Sequence, residues 1–172
     1  MHVFIIVVLT ADGFIAEETN DISTRWTSKE DIRFFVKRTK EAGAMVMGST
    51  TFQTIGKPLP GRKIYIYTRH PQDFAGYDPA EIEAVSLDPA EMVKKAEADG
   101  YQELAICGGA SIYTQFMNAG VVDTLYITYE PVLFGQGVSL FTEPVQKKLQ
   151  LVSTQSLSEQ TTLVEYSVIK ES

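Results

Sequence analysis

The sequence predicts an α/β fold: a mainly parallel central sheet flanked by about four helices, with an antiparallel hairpin at its C-terminal edge. Three observations predict it. Short apolar, β-branched runs alternate with helical patterns from residue 3 to residue 130, the rhythm of strands joined by helical crossovers. The first of these runs is apolar almost without interruption, as expected of a strand covered on both faces. After residue 130 only strand patterns return.

Taken in order, residues 3–9 form the first buried strand, and Asp12-Gly13 ends it with a turn. Residues 17–25 are polar and aperiodic, a surface loop. Thr27-Ser28 open a helix that runs to about Lys40, with Ile32, Phe35 and Val36 on its apolar face and Arg33, Lys37 and Lys40 facing outward. Residues 44–47 are a second strand, followed by Gly48 and a short helix from near Thr50. Residues 63–68 are a third strand and 83–86 a fourth. Asp88 then caps a helix with proline in its first turn, continuing through residues 91–98. A strand over 103–107, a tight Gly108-Gly109 turn, a helix over 111–118 and a strand over 124–130 follow. Residues 149–155 and 162–169 pair as the closing hairpin.

The 172 residues, 44% of them hydrophobic, suit one domain over 1–172 with a single core. A net charge of −7 argues against a nucleic-acid partner, since the long-range field repels phosphate chains. Any anionic ligand must be held by a few local cations. One cysteine, Cys107, leaves no intrachain disulfide and fits a reducing compartment. His2 and His70 lie far apart with no second cysteine, so no metal is expected. Residues 1–9 are too short to span a bilayer and lack the charged start and cleavage site of a signal peptide, so no membrane partner is expected.

Four segments carry chemistry. Gly48 with Ser49-Thr50-Thr51, and Gly108-Gly109 with Ala110-Ser111, put small residues where a strand hands over to a helix. Such turns let backbone approach a ligand closely and offer helix N–H groups to phosphate. The dinucleotide fingerprint Gly-x-Gly-x-x-Gly is absent, so an ordinary Rossmann domain is not predicted. Asp31, Phe35 and Thr39 recur at i, i+4 and i+8 and share one helical face, where a carboxylate beside an aromatic could grip a flat, hydrogen-bonding ring. Ser28-x-x-Asp31 also fits a capping box, with Asp31 serving only the helix start. Spacing alone leaves both readings open. Finally, Leu59-Pro60-Gly61-Arg62 is a rigid turn presenting Arg62 just before a buried strand, where a guanidinium suits a bidentate grip on a carboxylate.

From Asp12 to Thr128 the residues resemble dihydrofolate reductase in consistent order. The most specific block is Met47-Gly48, Thr51-Phe52 and Ile55-Gly56-Lys57-Pro58-Leu59-Pro60-Gly61-Arg62. Asp12-Gly13 with Ile15, Trp26, Asp31 with Phe35 and Thr39, Gly108-Gly109 with Tyr113, and Leu125-Tyr126-Ile127-Thr128 extend it. The resemblance implies a dihydrofolate reductase-like fold and NADPH-dependent reduction of 7,8-dihydrofolate to tetrahydrofolate in the cytoplasm. It implies that Asp31 bonds the pterin and supports protonation of N5, that Thr128 orients Asp31, and that Trp26 lies by the active-site loop. Phe35, Ile55 and Leu59 would wall the substrate, and Arg62 would hold the glutamate tail. The NADPH site would draw on Ile15, Gly48, Thr50, Thr51, Thr68, Gly108, Gly109, Ala110, Ser111, Ile112 and Tyr113.

The sequence also departs from the family. Ser49 stands where an arginine commonly holds the cofactor phosphates, and Arg69 is inferred to take over the 2′-phosphate. The active-site loop is a few residues longer than usual. Pro131-Val132-Leu133-Phe134-Gly135-Gln136-Gly137 with Leu140-Phe141 looks more like the reductase domain of riboflavin biosynthesis, which acts on a ribosylated diaminopyrimidine. A pyrimidine reductase of that branch is therefore the alternative, ahead of a non-catalytic nucleotide-binding protein. The same segment leaves monomer and homodimer both open.

Overall fold

A computed structural model describes residues 1–170; of the predicted domain, residues 171 and 172 lie outside the described residues. Eight strands form one sheet in the order β5-β4-β3-β6-β1-β7-β10-β9. They are β1 (His2–Thr10), β3 (Ala44–Gly48), β4 (Lys63–Tyr67), β5 (Ile82–Val85), β6 (Glu103–Ile106), β7 (Thr124–Glu130), β9 (Leu149–Ser156) and β10 (Thr162–Val168). All neighbours from β5 to β7 run parallel. β10 runs antiparallel to both β7 and β9, which makes the C-terminal edge an antiparallel hairpin. The predicted architecture is thus the observed one. A second, two-stranded sheet, β2 (Phe14–Ala16) with β8 (Val138–Ser139), was not expected from the sequence.

Among the described residues four α-helices, α1 (Lys29–Ala42), α2 (Ser49–Ile55), α3 (Pro89–Ala98) and α4 (Ala110–Asn118), cover the sheet. Period-two alternation divides its side chains between two cores. Val46, Tyr65, Leu104 and Ile106 pack with Met92 and Ala96 of α3 and Ile112, Tyr113 and Phe116 of α4. Met45, Met47, Ile64 and Ile66 pack on the other face with Ala42 of α1 and Phe52 of α2. Burying both faces of the central strands explains why they read as continuous apolar runs; Phe4 and Ile5, adjacent on β1, are both fully buried.

α1 sits on the sheet by the Asp31, Phe35 and Thr39 face, with Phe34 in place of the expected Ile32 and Val36. Its buried residues are Asp31, Thr39 and Ala42, and Phe34 and Phe35 pack on the core, while Ile32 and Val36 are only half-buried. Phe34 meets the β7 ring of Tyr126 edge-on, centroids 5.7 Å apart, which rotates the polar Asp31 and Thr39 toward the sheet. Gly43 ends the helix in the left-handed conformation, which costs glycine least. Among the described residues no helix is long and apolar enough to cross a membrane.

Candidate active site

The parallel strands deliver their carboxyl ends to one side of the sheet, where ligands of open α/β sheets bind. Two glycine turns meet there. The Gly48 N–H at the end of β3 donates to the Gly108 carbonyl beyond β6 at 2.8 Å, and the Gly108–Gly109 peptide is cis. Thr51, on the first turns of α2, faces them. A Cβ added at Gly109 would lie 3.3 Å from the Thr51 hydroxyl, and one at Gly108 3.3 Å from the Tyr113 hydroxyl. Side chains at either position would fill this cradle. Gly109 caps α4 without a side-chain acceptor on the first N–H groups, those of Ala110 and Ser111.

Asp31 lies in the first turn of α1 and is 8% exposed. Burial pushes its carboxyl up to about 6; a hydrogen bond from Thr128 opposes the rise, and the negative charge of Glu130 adds to it. Thr128 and Glu130 are i and i+2 on β7, so both point at the α1 face. Only half of the capping box forms. The Ser28 Oγ accepts from the Asp31 N–H at 3.1 Å, but the Ser28 N–H donates to Glu130 Oε1 at 2.9 Å. The helix start therefore does not use the Asp31 carboxylate.

Eight residues further along α1, about 12 Å at a helical rise of 1.5 Å, Thr39 meets Arg62. Arg62 Nη1 donates to Thr39 Oγ1 at 3.1 Å, and its Nε to the Pro60 carbonyl at 3.3 Å. Arg62 is 8% exposed and has no carboxylate partner among the described residues. Phe35, Ile55 and Leu59 are half-buried against the same core. Asp31, Phe35, Ile55, Leu59 and Arg62 thus share one face of the sheet, with the acid and the cation at opposite ends of an α1-lined stretch.

The other predicted residues divide. Trp26 is half-buried, packs edge-on against Phe134 with centroids 5.3 Å apart, and keeps a buried indole N–H without a partner among the described residues. It lines a cavity of about 500 Å³ with Ser28, Glu130 and Thr161. Thr68 and Ser49 share a second cavity of about 340 Å³ between α2 and the loop after β4. Arg69 is exposed at the carboxyl end of β4, with no ion pair among the described residues. Thr50 and Ser111 are also exposed, and Ile15 packs against the α3/α4 core. Ile112 and Tyr113 are buried beneath the glycine turn, the Tyr113 hydroxyl donating to the Ile6 carbonyl at 3.0 Å.

One residue escaped the sequence reading. Glu130, 4% exposed, sits beside the acid; its place two residues after Thr128 was the available signal. Cys107 follows β6 just before the glycine turn, and its thiol is pushed well up by burial, with Arg62 opposing.

A family profile described as dihydrofolate reductase matches residues 2–170. The chain belongs to the dihydrofolate reductase family. Among its relatives is dihydrofolate reductase type 3 of Salmonella typhimurium, 33% identical over 104 residues, which are 60% of this chain and 58% of that protein. Riboflavin biosynthesis protein RibD of Corynebacterium ammoniagenes is 25% identical over 166 residues, 87% of this chain and 48% of that one. The chain therefore spans about half the length of these two relatives. A putative riboflavin biosynthesis protein from Shewanella sp. PV-4 shares the fold, with a TM-score of 0.80 at 20% identity over 99% of this chain and 100% of that one. Membership in the dihydrofolate reductase family and likeness to riboflavin-type reductases, both expected from the sequence, are thus found together.

Proposed function

We propose that this family member is an NADPH-dependent oxidoreductase that reduces 7,8-dihydrofolate to tetrahydrofolate. The observation that carries the reading is the pairing of Asp31, a buried acid, with Arg62, a buried cation with no carboxylate partner among the described residues, along one helix. A pterin carrying an acidic tail offers a hydrogen-bonding edge to the first and a carboxylate to the second. The glycine cradle fits a dinucleotide: Gly48, Gly108 and Gly109 permit close approach, Thr51 and the first turn of α4 offer donors to pyrophosphate, and the exposed Arg69 would meet the 2′-phosphate.

When bound, the reduced nicotinamide supplies a hydride to the imine carbon of the substrate. The protein's residues do the rest. Phe35, Ile55 and Leu59 hold the ring and exclude water. Thr128 orients the Asp31 carboxyl, and Asp31 holds a proton for the neighbouring nitrogen. With its pKa near 6, about a tenth of Asp31 carries that proton at pH 7.

A second reading, reduction of a ribosylated diaminopyrimidine, is favoured by the riboflavin-type relatives that cover nearly the whole chain. Arg62 would then hold a phosphate carried on the ribose of that substrate. Loss of NADPH absorbance decides between them. We expect consumption with dihydrofolate at least tenfold faster than with the ribosylated pyrimidine. The reverse order establishes the second reading, and no consumption with either overturns both.

A further inference from the structure

A serine followed three residues later by a carboxylate ordinarily closes a reciprocal cap, the acid turning back to the serine N–H. In this chain α3 does so: Asp88 Oδ1 accepts from the Glu91 N–H, and Glu91 Oε2 from the Asp88 N–H. α1 has the same spacing but a different outcome. Its cap N–H, on Ser28, is taken by Glu130 Oε1 from β7 at 2.9 Å. The second oxygen, Oε2, accepts from Thr161 Oγ1 in the β9–β10 turn at 2.9 Å. Glu130 is 4% and Thr161 1% exposed, so these bonds are sheltered from competing water.

We propose that Glu130 is a positioning residue for the reductase acid: by occupying the Ser28 N–H it displaces Asp31 from the helix cap and leaves that carboxylate directed to the cleft. The proposal rests on the reading of Asp31 as the acid. Without Glu130, the nearest carboxylate able to satisfy the orphaned N–H is Asp31 itself, three residues along the same turn. The acid would then serve the helix and leave the substrate. Glu130 also contributes a fixed charge beside Asp31. The other titratable groups facing the Ser28–Glu130 bond are Glu30 on α1 and Glu159 in the β9–β10 turn, which line a cavity with Ser28 and Glu130. Tyr113 on α4 is pushed far up by burial and remains neutral.

Two variants separate the bond from the charge. Glu130→Gln keeps an oxygen for Ser28 and an amide able to meet Thr161, but removes the charge. Glu130→Ala removes both. The Asp31 carboxyl is titrated by NMR in the full-length protein without substrate, and kcat and KM are measured alongside. We expect Asp31 in Glu130→Ala to titrate lower by roughly one unit or more, because a backbone N–H now stabilises its ionised form, and kcat to fall at least tenfold. Glu130→Gln should lower the titration by less and keep kcat within about threefold. Glu130→Ala with an unmoved Asp31 titration, whatever its Tm, overturns the proposal, as does a Glu130→Gln variant as inactive as Glu130→Ala would be. The Gln variant carries the test if the Ala variant does not fold. Since the titration needs no substrate, an enzyme silent toward both proposed substrates defeats the functional reading and leaves this test intact.

Discussion

Asp31 is costly where it stands. Its carboxyl titrates near 6 when folded against an ordinary 3.8, so the folded chain binds the proton more tightly than the unfolded one. Below pH 3.8 the group is protonated in both states and carries no penalty. As the pH rises through 6 the folded protein must ionise a buried acid, and the penalty grows to about 3 kcal/mol. Asp31→Asn should therefore stabilise the protein at pH 8 by about 1–3 kcal/mol, raising Tm by roughly 2–4 °C per kcal/mol, and change little at pH 4. Thermal unfolding at the two pH values checks this; an Asn variant less stable than the parent at pH 8 would contradict it. The role of this residue was only half legible in the sequence. The i, i+4, i+8 face of Asp31, Phe35 and Thr39 is visible in the spacing, but whether the acid caps its helix depends on Glu130, which is 102 positions from Ser28.

Among the elements, α1, β1, β6 and β7 are fastened at the end of the sheet opposite the cleft. Arg38 of α1 donates to both oxygens of Glu103 at the start of β6, at 2.9 and 2.7 Å, and its guanidinium lies 4.0 Å from the Phe4 ring centroid. His2 bridges Glu103 and Thr124, each at 2.9 Å. Arg38, foremost, holds the Glu103 carboxyl down to about 2 against burial. A depressed carboxyl stabilises the fold above its ordinary pKa of 4.5 and loses that contribution as the pH falls toward 2. Glu103→Gln should lose roughly 1–3 kcal/mol at pH 7, with the gap to the parent closing between pH 4.5 and 2. A pH-independent gap in denaturant unfolding would show that packing, not charge, is what the residue supplies. None of this clasp was legible: Arg38 and Glu103 are 65 positions apart, and a basic residue in the middle of a helix reads as a solvated one.

For the whole molecule, the alternation of apolar runs and helix starts was enough to place the sheet, because strands buried on both faces announce themselves by composition. The β2–β8 pair was not legible, since a three-residue strand against a two-residue one leaves no periodicity to read. It lies where the backbone crowds: a Cβ added at Gly137 would lie 2.5 Å from the Ala16 carbonyl. Nearby, Asp12 accepts from the N–H groups of Phe134 and Gly135 at 3.2 and 2.7 Å. The segment after β7 is thereby tied back to the turn that ends β1, with Phe134 packed on Trp26. Asp31 is the acid at the centre of the proposed reaction, and the pH dependence of hydride transfer in a single turnover reads it directly. The rate should be highest at low pH and fall tenfold per unit above an inflection near 6, with the inflection absent and the rate at least a hundredfold lower in Asp31→Asn. A rate flat from pH 5 to 8, or an inflection that survives in the Asn variant, would contradict it.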